Sequence, residues 1–186
     1  MLDELKISQV AGYILSKERG HAMSILKLMK LLYFVDRESL LECGEPISYD
    51  NMVAMPHGMV LSNVYDLSSG SIKSINNGWD SWISDRENHK VSLKRNVNSA
   101  SDFDMLSDFD IDIINRVIDR YTQYSGFELA DMQHNPDICP EWSDPHGSSF
   151  SVSYEDILKK MGKSKSDISL SIKQINEHNS IQSMFA

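Results

Sequence analysis

At 186 residues, with 41% hydrophobic and 24% charged side chains, the chain is long enough to bury a real core as one domain without disulfide or metal support. A net charge of −9 and a pI of about 5.0 work against general nucleic-acid binding, which needs Lys and Arg to displace counterions, and suit a basic protein partner. The two cysteines, Cys43 and Cys139, build no disulfide framework, no signal peptide opens the sequence, and no run approaches the roughly 20 apolar residues of a bilayer span, so a reducing cytoplasm is expected.

Leu2–Arg19 reads as a first helix with Leu5, Ala11, Ile14 and Leu15 on one face, Lys17 and Arg19 in its last turn and Gly20 closing it. Ser24 is positioned as the N-cap of the next helix, about residues 24–41. Its middle, Ile25–Val35, reads ILKLMKLLYFV; nine of these eleven residues are apolar. Wrapped at 3.6 residues per turn, Lys27, Lys30 and Arg37 share one narrow stripe, and the rest of the circumference is apolar. A helix apolar on most sides belongs inside a domain, so other segments must cover this one.

After Glu42 the texture changes to turn material at Gly44, Pro46 and Tyr49–Asn51. Met52–Met55 reads as a short strand stopped by Pro56-His57-Gly58, and Met59–Leu67 resumes a helical pattern through Val60, Val64 and Leu67. Residues 72–100 look least helical. Asn76-Asn77-Gly78 marks a tight turn, Trp79, Trp82 and Ile83 follow, and the alternation of Lys90–Lys94 predicts a strand in a small sheet or hairpin. Ser101–Asp104 offers N-caps for a helix to about Tyr124, with Leu106, Phe109, Ile113, Val117 and Tyr121 inward, Asp108, Asp112, Asn115 and Asp119 outward, and Asp112–Arg116 as an i,i+4 pair. Phe127–His134 forms a short helix cut off by Asn135-Pro136. Residues 136–148 form an ordered loop, Tyr154–Met161 a helix, Ser166–Asn176 a last one, and His178–Ala186 a frayed end. The fold class is therefore mainly α with a small β element, a helical domain over 1–162 around a central buried helix, with a C-terminal helical extension or tail over 163–186.

Catalytic and metal signatures are sparse. His57, His134, His146, Cys43 and Cys139 are the candidate metal ligands; His134 and Cys139 are close in sequence, but no second pair accompanies them as a structural zinc site requires. No G-x-S-x-G elbow, phosphate-binding loop or dinucleotide fingerprint is present. Asp108 and Asp112 read as a solvated helix face. His57 sits at a constrained corner between Pro56 and Gly58, where it either caps or bonds to the core or meets a partner directly. Trp79, Trp82 and Trp142 stand near turns, where aromatic residues serve as interface anchors as well as core.

Lys27-Leu28-Met29-Lys30-Leu31-Leu32-Tyr33-Phe34 resembles the "KLxKLLYF" helix of the SocA-like antitoxin family, the Panacea domain. The family's strand leading to an "HGP-V" corner and a tyrosine-bearing helix has its counterpart in Met52–Met55, His57-Gly58-Met59-Val60 and Tyr65, with Met59 in place of the usual proline. A late "L-x-x-x-x-H" helix is matched by Leu129–His134, followed by Pro140 and Trp142. The 72–100 stretch has no counterpart, and no helix-turn-helix precedes the domain, which weighs against transcriptional autoregulation. The resemblance implies a mostly helical fold with a small β element and a bacterial or phage antitoxin, not an enzyme, that binds a cognate toxin protein and takes no cofactor. The expected partner-binding positions are His57, Trp79, Trp82 and Trp142. Two rival readings remain: an adaptor that delivers a protein to a protease, or a phage or mobile-element regulator of a host protein, and an enzyme of unrecognised type using His57 and His134.

Overall fold

The computed structural model describes residues 2–184. Helix α2 (Ile25–Cys43) runs through its centre, and every residue from Leu28 to Arg37 is buried. Ser24 caps it by accepting from the Lys27 N–H at 3.2 Å, and Gly44 ends it in the left-handed region, φ 85°, with its N–H donating to Leu40. The coverage that its apolar circumference demands comes from the helices and strands packed around it. Helices α5 (Asp108–Tyr121) and α6 (Gly126–His134) supply most of it, with α1 (Glu4–Lys17), strand β3 (Gly58–Leu61), α3 (Ser62–Ser69) and α7 (Tyr154–Lys160) completing the shell. At about 1.5–3 kcal/mol for each large apolar side chain taken out of water, this helix contributes more to hydrophobic stabilisation than any other single element.

Two small antiparallel sheets flank it. In the first, β2 (Met52–Met55) lies between β3 and β5 (Phe150–Val152), with Met55 opposite Gly58 and Met52 opposite Val152. Met59, Val60 and Leu61 therefore extend a strand instead of opening a helix; α3 begins only at Ser62. All four residues of β3 are buried, so the run lacks the alternation that marks a half-exposed strand and mimics a helical period. The N-terminus of α3 is capped from a distant loop: Asp50 accepts the Asn63 and Val64 N–H groups at 3.1 and 2.9 Å. In the second sheet β1 (Ala22–Ser24) pairs with β4 (Lys90–Ser92). The expected strand at Lys90 is present and its main partner is remote, while bridges Ile83–Leu93 and Glu87–Lys90 close it locally. Between the sheets' segments a single-turn helix, α4 (Trp79–Trp82), packs on α1.

Helix α5 starts later than its acidic approach suggests, with Ser107 as N-cap and Asp110 completing a capping box. Asp110 is also paired with Lys6 at 3.0 Å, so it and Ile114 turn inward while Phe109, expected in the core, is 40% exposed. Arg116 pairs with Glu42 of α2 rather than with Asp112. The last helix, α8 (Lys165–Ser183), is capped by Ser164 and continues to Ser183, past the point where fraying was expected. Its Ser171 and Ile175 are buried, and the His178 ring stacks on Tyr49 with centroids 3.6 Å apart, which supplies the contacts that hold its second half. Phe185 and Ala186, part of that expected frayed end, lie outside the described residues.

Candidate functional site

The polar stripe of α2 is legible in the sequence, and the structure gives each cation on it a different environment. Lys27 donates to the Thr122 carbonyl at 2.7 Å and to Glu18 at 3.2 Å, tying α2 to the end of α5. Arg37 enters a buried knot. Its Nε lies 2.6 Å from Glu141 Oε1, its Nη2 donates to the Ile138 carbonyl at 2.6 Å, and the Tyr33 hydroxyl donates to the same Glu141 oxygen at 2.5 Å. Burial pushes the Cys139 thiol up to about 12, reinforced by the neighbouring Glu141 carboxylate. Burial and then Glu141 hold the Tyr33 phenol well above its usual range. The loop after α6 is thus fastened to α2 through one carboxylate.

Lys30 differs. It is 1% exposed and its Nζ donates to the Met59 carbonyl at 3.0 Å. Burial pulls its pKa down to about 7, and Cys139 opposes that only in part. The carbonyl belongs to the strand that follows the Pro56-His57 turn. Gly58 makes this approach feasible in two ways: its φ of 92° disfavours any side chain, and a Cβ there would stand 2.4 Å from Gln133 Oε1 and 3.1 Å from Lys30 Nζ. Behind the turn, Trp142 Nε1 donates to the Met55 carbonyl at 3.0 Å, and its ring lies 4.1 Å from that of His134. Gln133 is fully buried, and neither its amide oxygen nor its nitrogen has a hydrogen-bond partner among the described residues.

In front of the turn is a cleft of about 260 Å³. One wall is Ile25, Leu26, Met29 and Lys30 of α2, the other Met55–His57, Val60 and Tyr65 with the end of α3, and Arg86 also lines the cleft. His57 is exposed at its edge and Tyr65 is half-exposed beside it.

Of the four residues expected to meet a partner, His57 alone is openly exposed. Trp79 and Trp82 are corrected outright: they are 3% and 2% exposed and form no surface. They anchor the 72–100 segment on α1, with the Trp79 N–H donating to Glu4 at 3.0 Å, Trp82 stacked on Phe103 at 5.4 Å, and the Arg95 guanidinium 4.2 Å above the Trp82 ring. Trp142 is half-buried with its polar edge spent on Met55. Among the described residues no hydrogen bond joins His57 to His134, and no three of His, Cys, Asp and Glu come together in a way that would hold a metal ion. Sequence reasoning missed Glu141, Gln133 and Arg86. Only Glu141 left a signal: a buried stripe carrying Arg37 needs an acid, and Glu141 stands between Pro140 and Trp142 in an otherwise apolar stretch.

The sequence model of the family described as antitoxin SocA-like, Panacea domain, matches residues 28–143. The chain belongs to that family. The matched span opens inside α2 and closes just after Trp142, so this Panacea domain contains the knot at Glu141, the Gly58 turn and most of the cleft, while β5, α7 and α8 lie beyond the match. No curated protein and no solved structure matches the chain. Among the described residues no helix is long and apolar enough to cross a membrane.

Proposed function

We propose that the protein is an antitoxin that neutralises a cognate toxin by direct protein–protein binding, without catalysis. One observation carries this reading. The three segments that mark the family, on α2, at the His57-Gly58 turn and at the end of α6, converge on one place. Behind the turn Lys30 and Trp142 donate to the Met59 and Met55 carbonyls, and in front the segments leave a cleft edged by His57 and Tyr65. A packed frame that presents an apolar recess is suited to docking a partner. The excess of acidic residues, 27 against 18 basic, favours a toxin that is basic overall.

The test is growth rescue. Each gene flanking this one is expressed alone and then together with it. The expected result is arrest by one neighbour, relief on co-expression, and a complex recovered by pull-down. Absence of arrest from either neighbour overturns the antitoxin reading. In the adaptor reading a second face is needed, and α8 exposes Leu170 and Ile181, with Met184 just after it, outside the family match. There, Leu170→Ser with Ile181→Ser would leave toxin capture intact and slow toxin turnover in cells; unchanged turnover removes the adaptor role from this helix.

A further inference from the structure

The cleft has a sign opposite to that of the molecule. The chain carries a net charge of −9, yet among the described residues the charged ones that line the cleft are Lys30 and Arg86. Its remaining walls are largely apolar, from Ile25, Met29 and Val60. Lys30 has three donor hydrogens, and among the described residues the structure gives it one acceptor, the Met59 carbonyl. A buried ammonium without a carboxylate is incomplete in a way that a surface lysine is not. The occupant that satisfies both features is an apolar group carrying a carboxylate.

We propose that the cleft seats the C-terminal residue of the partner protein, with an apolar side chain against Ile25, Met29 and Val60 and the free α-carboxylate directed to Lys30 and Arg86. The inference rests on the antitoxin reading for its choice of a protein partner. A chain end is the protein feature that places an apolar side chain and a carboxylate on one Cα; an internal Asp or Glu separates them by a residue. The volume, about 260 Å³, falls below the range of about 300–1,000 Å³ typical of cofactor and drug-sized ligands. It suits one large side chain, and the mode is the known capture of chain termini by complementary recesses.

The probe is N-acetyl-phenylalanine, titrated at millimolar concentration into the full-length protein with ¹³C-labelled Ile and Met methyl groups. N-acetyl-phenylalaninamide and decanoate serve as comparisons. The expected result is saturable shifts of the Ile25 and Met29 methyls with the acid, at least fivefold weaker binding of the amide, and a similar loss in Arg86→Gln. That variant should melt with the wild type, because Arg86 is exposed. Equal binding of acid and amide, no shifts at these methyls, or undiminished binding by Arg86→Gln overturns the proposal. Binding of decanoate without N-acetyl-phenylalanine also overturns it, in favour of an acyl-chain site. Growth rescue separates this proposal from the reading beneath it: rescue without acid preference sinks only the occupant, and acid preference without any toxic neighbour sinks only the antitoxin.

Discussion

Lys30 and Arg37 stand two turns apart on the same stripe of α2, both are buried, and their surroundings are opposites. Arg37 meets a carboxylate, a carbonyl and, through that carboxylate, a tyrosine hydroxyl. Burial works against its charge, but Glu141, Cys139 and Tyr33 together hold its pKa above the usual value. Lys30 meets one carbonyl, and burial wins, drawing its pKa down to about 7. The first is a completed internal contact that fastens the loop after α6. The second is an unfinished one at the wall of a cleft. A buried cation reads as structural when its counter-charge is inside the fold, and as a docking group when that counter-charge has to arrive from elsewhere.

The strongest way to break the comparison is to remove Glu141. Glu141→Gln leaves the Arg37 guanidinium buried without a counter-charge, and the cost of breaking such a pair is about 3–5 kcal/mol. Urea unfolding should show that loss, and Arg37→Met combined with Glu141→Leu should recover a large part of it. If the single substitution costs under ~1 kcal/mol, the knot does not hold the loop. Gly58→Ala comes next. Its φ of 92° and the 2.4 Å approach of Gln133 Oε1 to the added Cβ set strain against packing. The expected destabilisation is about 2–3 kcal/mol, with weaker partner binding because the turn carries His57.

Lys30→Met sharpens the contrast at smaller scale. Replacing an uncompensated buried cation by an apolar side chain of similar length should stabilise the protein at pH 7, by about 1 kcal/mol or more. Its signature is in the pH dependence. Lys30 has a pKa of about 7 in the folded protein against 10.5 in the unfolded chain. Between those values the unfolded state holds a proton that the folded state has lost, so this residue makes stability rise with pH across that window. The methionine variant should lack that contribution, seen as a flatter alkaline limb in thermal melts from pH 7 to 10. An unchanged limb would show that Lys30 stays protonated in the fold.

These contacts also explain which parts were readable in advance. Helix α2, its Ser24 cap and the base stripe follow from local period and chemistry, as do β2 and the body of α6; the Ser125–Glu128 capping box that starts α6 emerges only in the structure. Strand β3 was not legible because burial on both faces erases its alternation. The fate of Trp79 and Trp82 was undecided locally, since an aromatic residue beside a turn serves either a core or an interface; their burial is settled by α1, some 70 residues earlier. Arg37 and Glu141 are 104 residues apart, so the stripe predicts that an acid must come but not which one. The cleft is more remote still from sequence, because its walls come from α2, the β2–β3 turn, α3 and Arg86.

The smallest expected effect on stability is that of His57→Ala, and it is the one that separates frame from docking surface most cleanly. His57 is exposed at the edge of the cleft, and its side chain makes no hydrogen bond or ion pair among the described residues. Truncating such a side chain shifts stability by about 0.5 kcal/mol or less. Glu141→Gln and Gly58→Ala reduce binding only by loosening the frame, so their binding losses should shrink when the protein is cooled toward full folding. A binding loss from His57→Ala should persist at every temperature where the protein is folded. Measured by pull-down and by growth rescue, a several-fold loss with an unchanged melting curve places the partner on this edge. Full binding by His57→Ala and by the double variant with Tyr65→Ala moves the partner to another face, and leaves the incomplete charge of Lys30 as a feature of the fold alone.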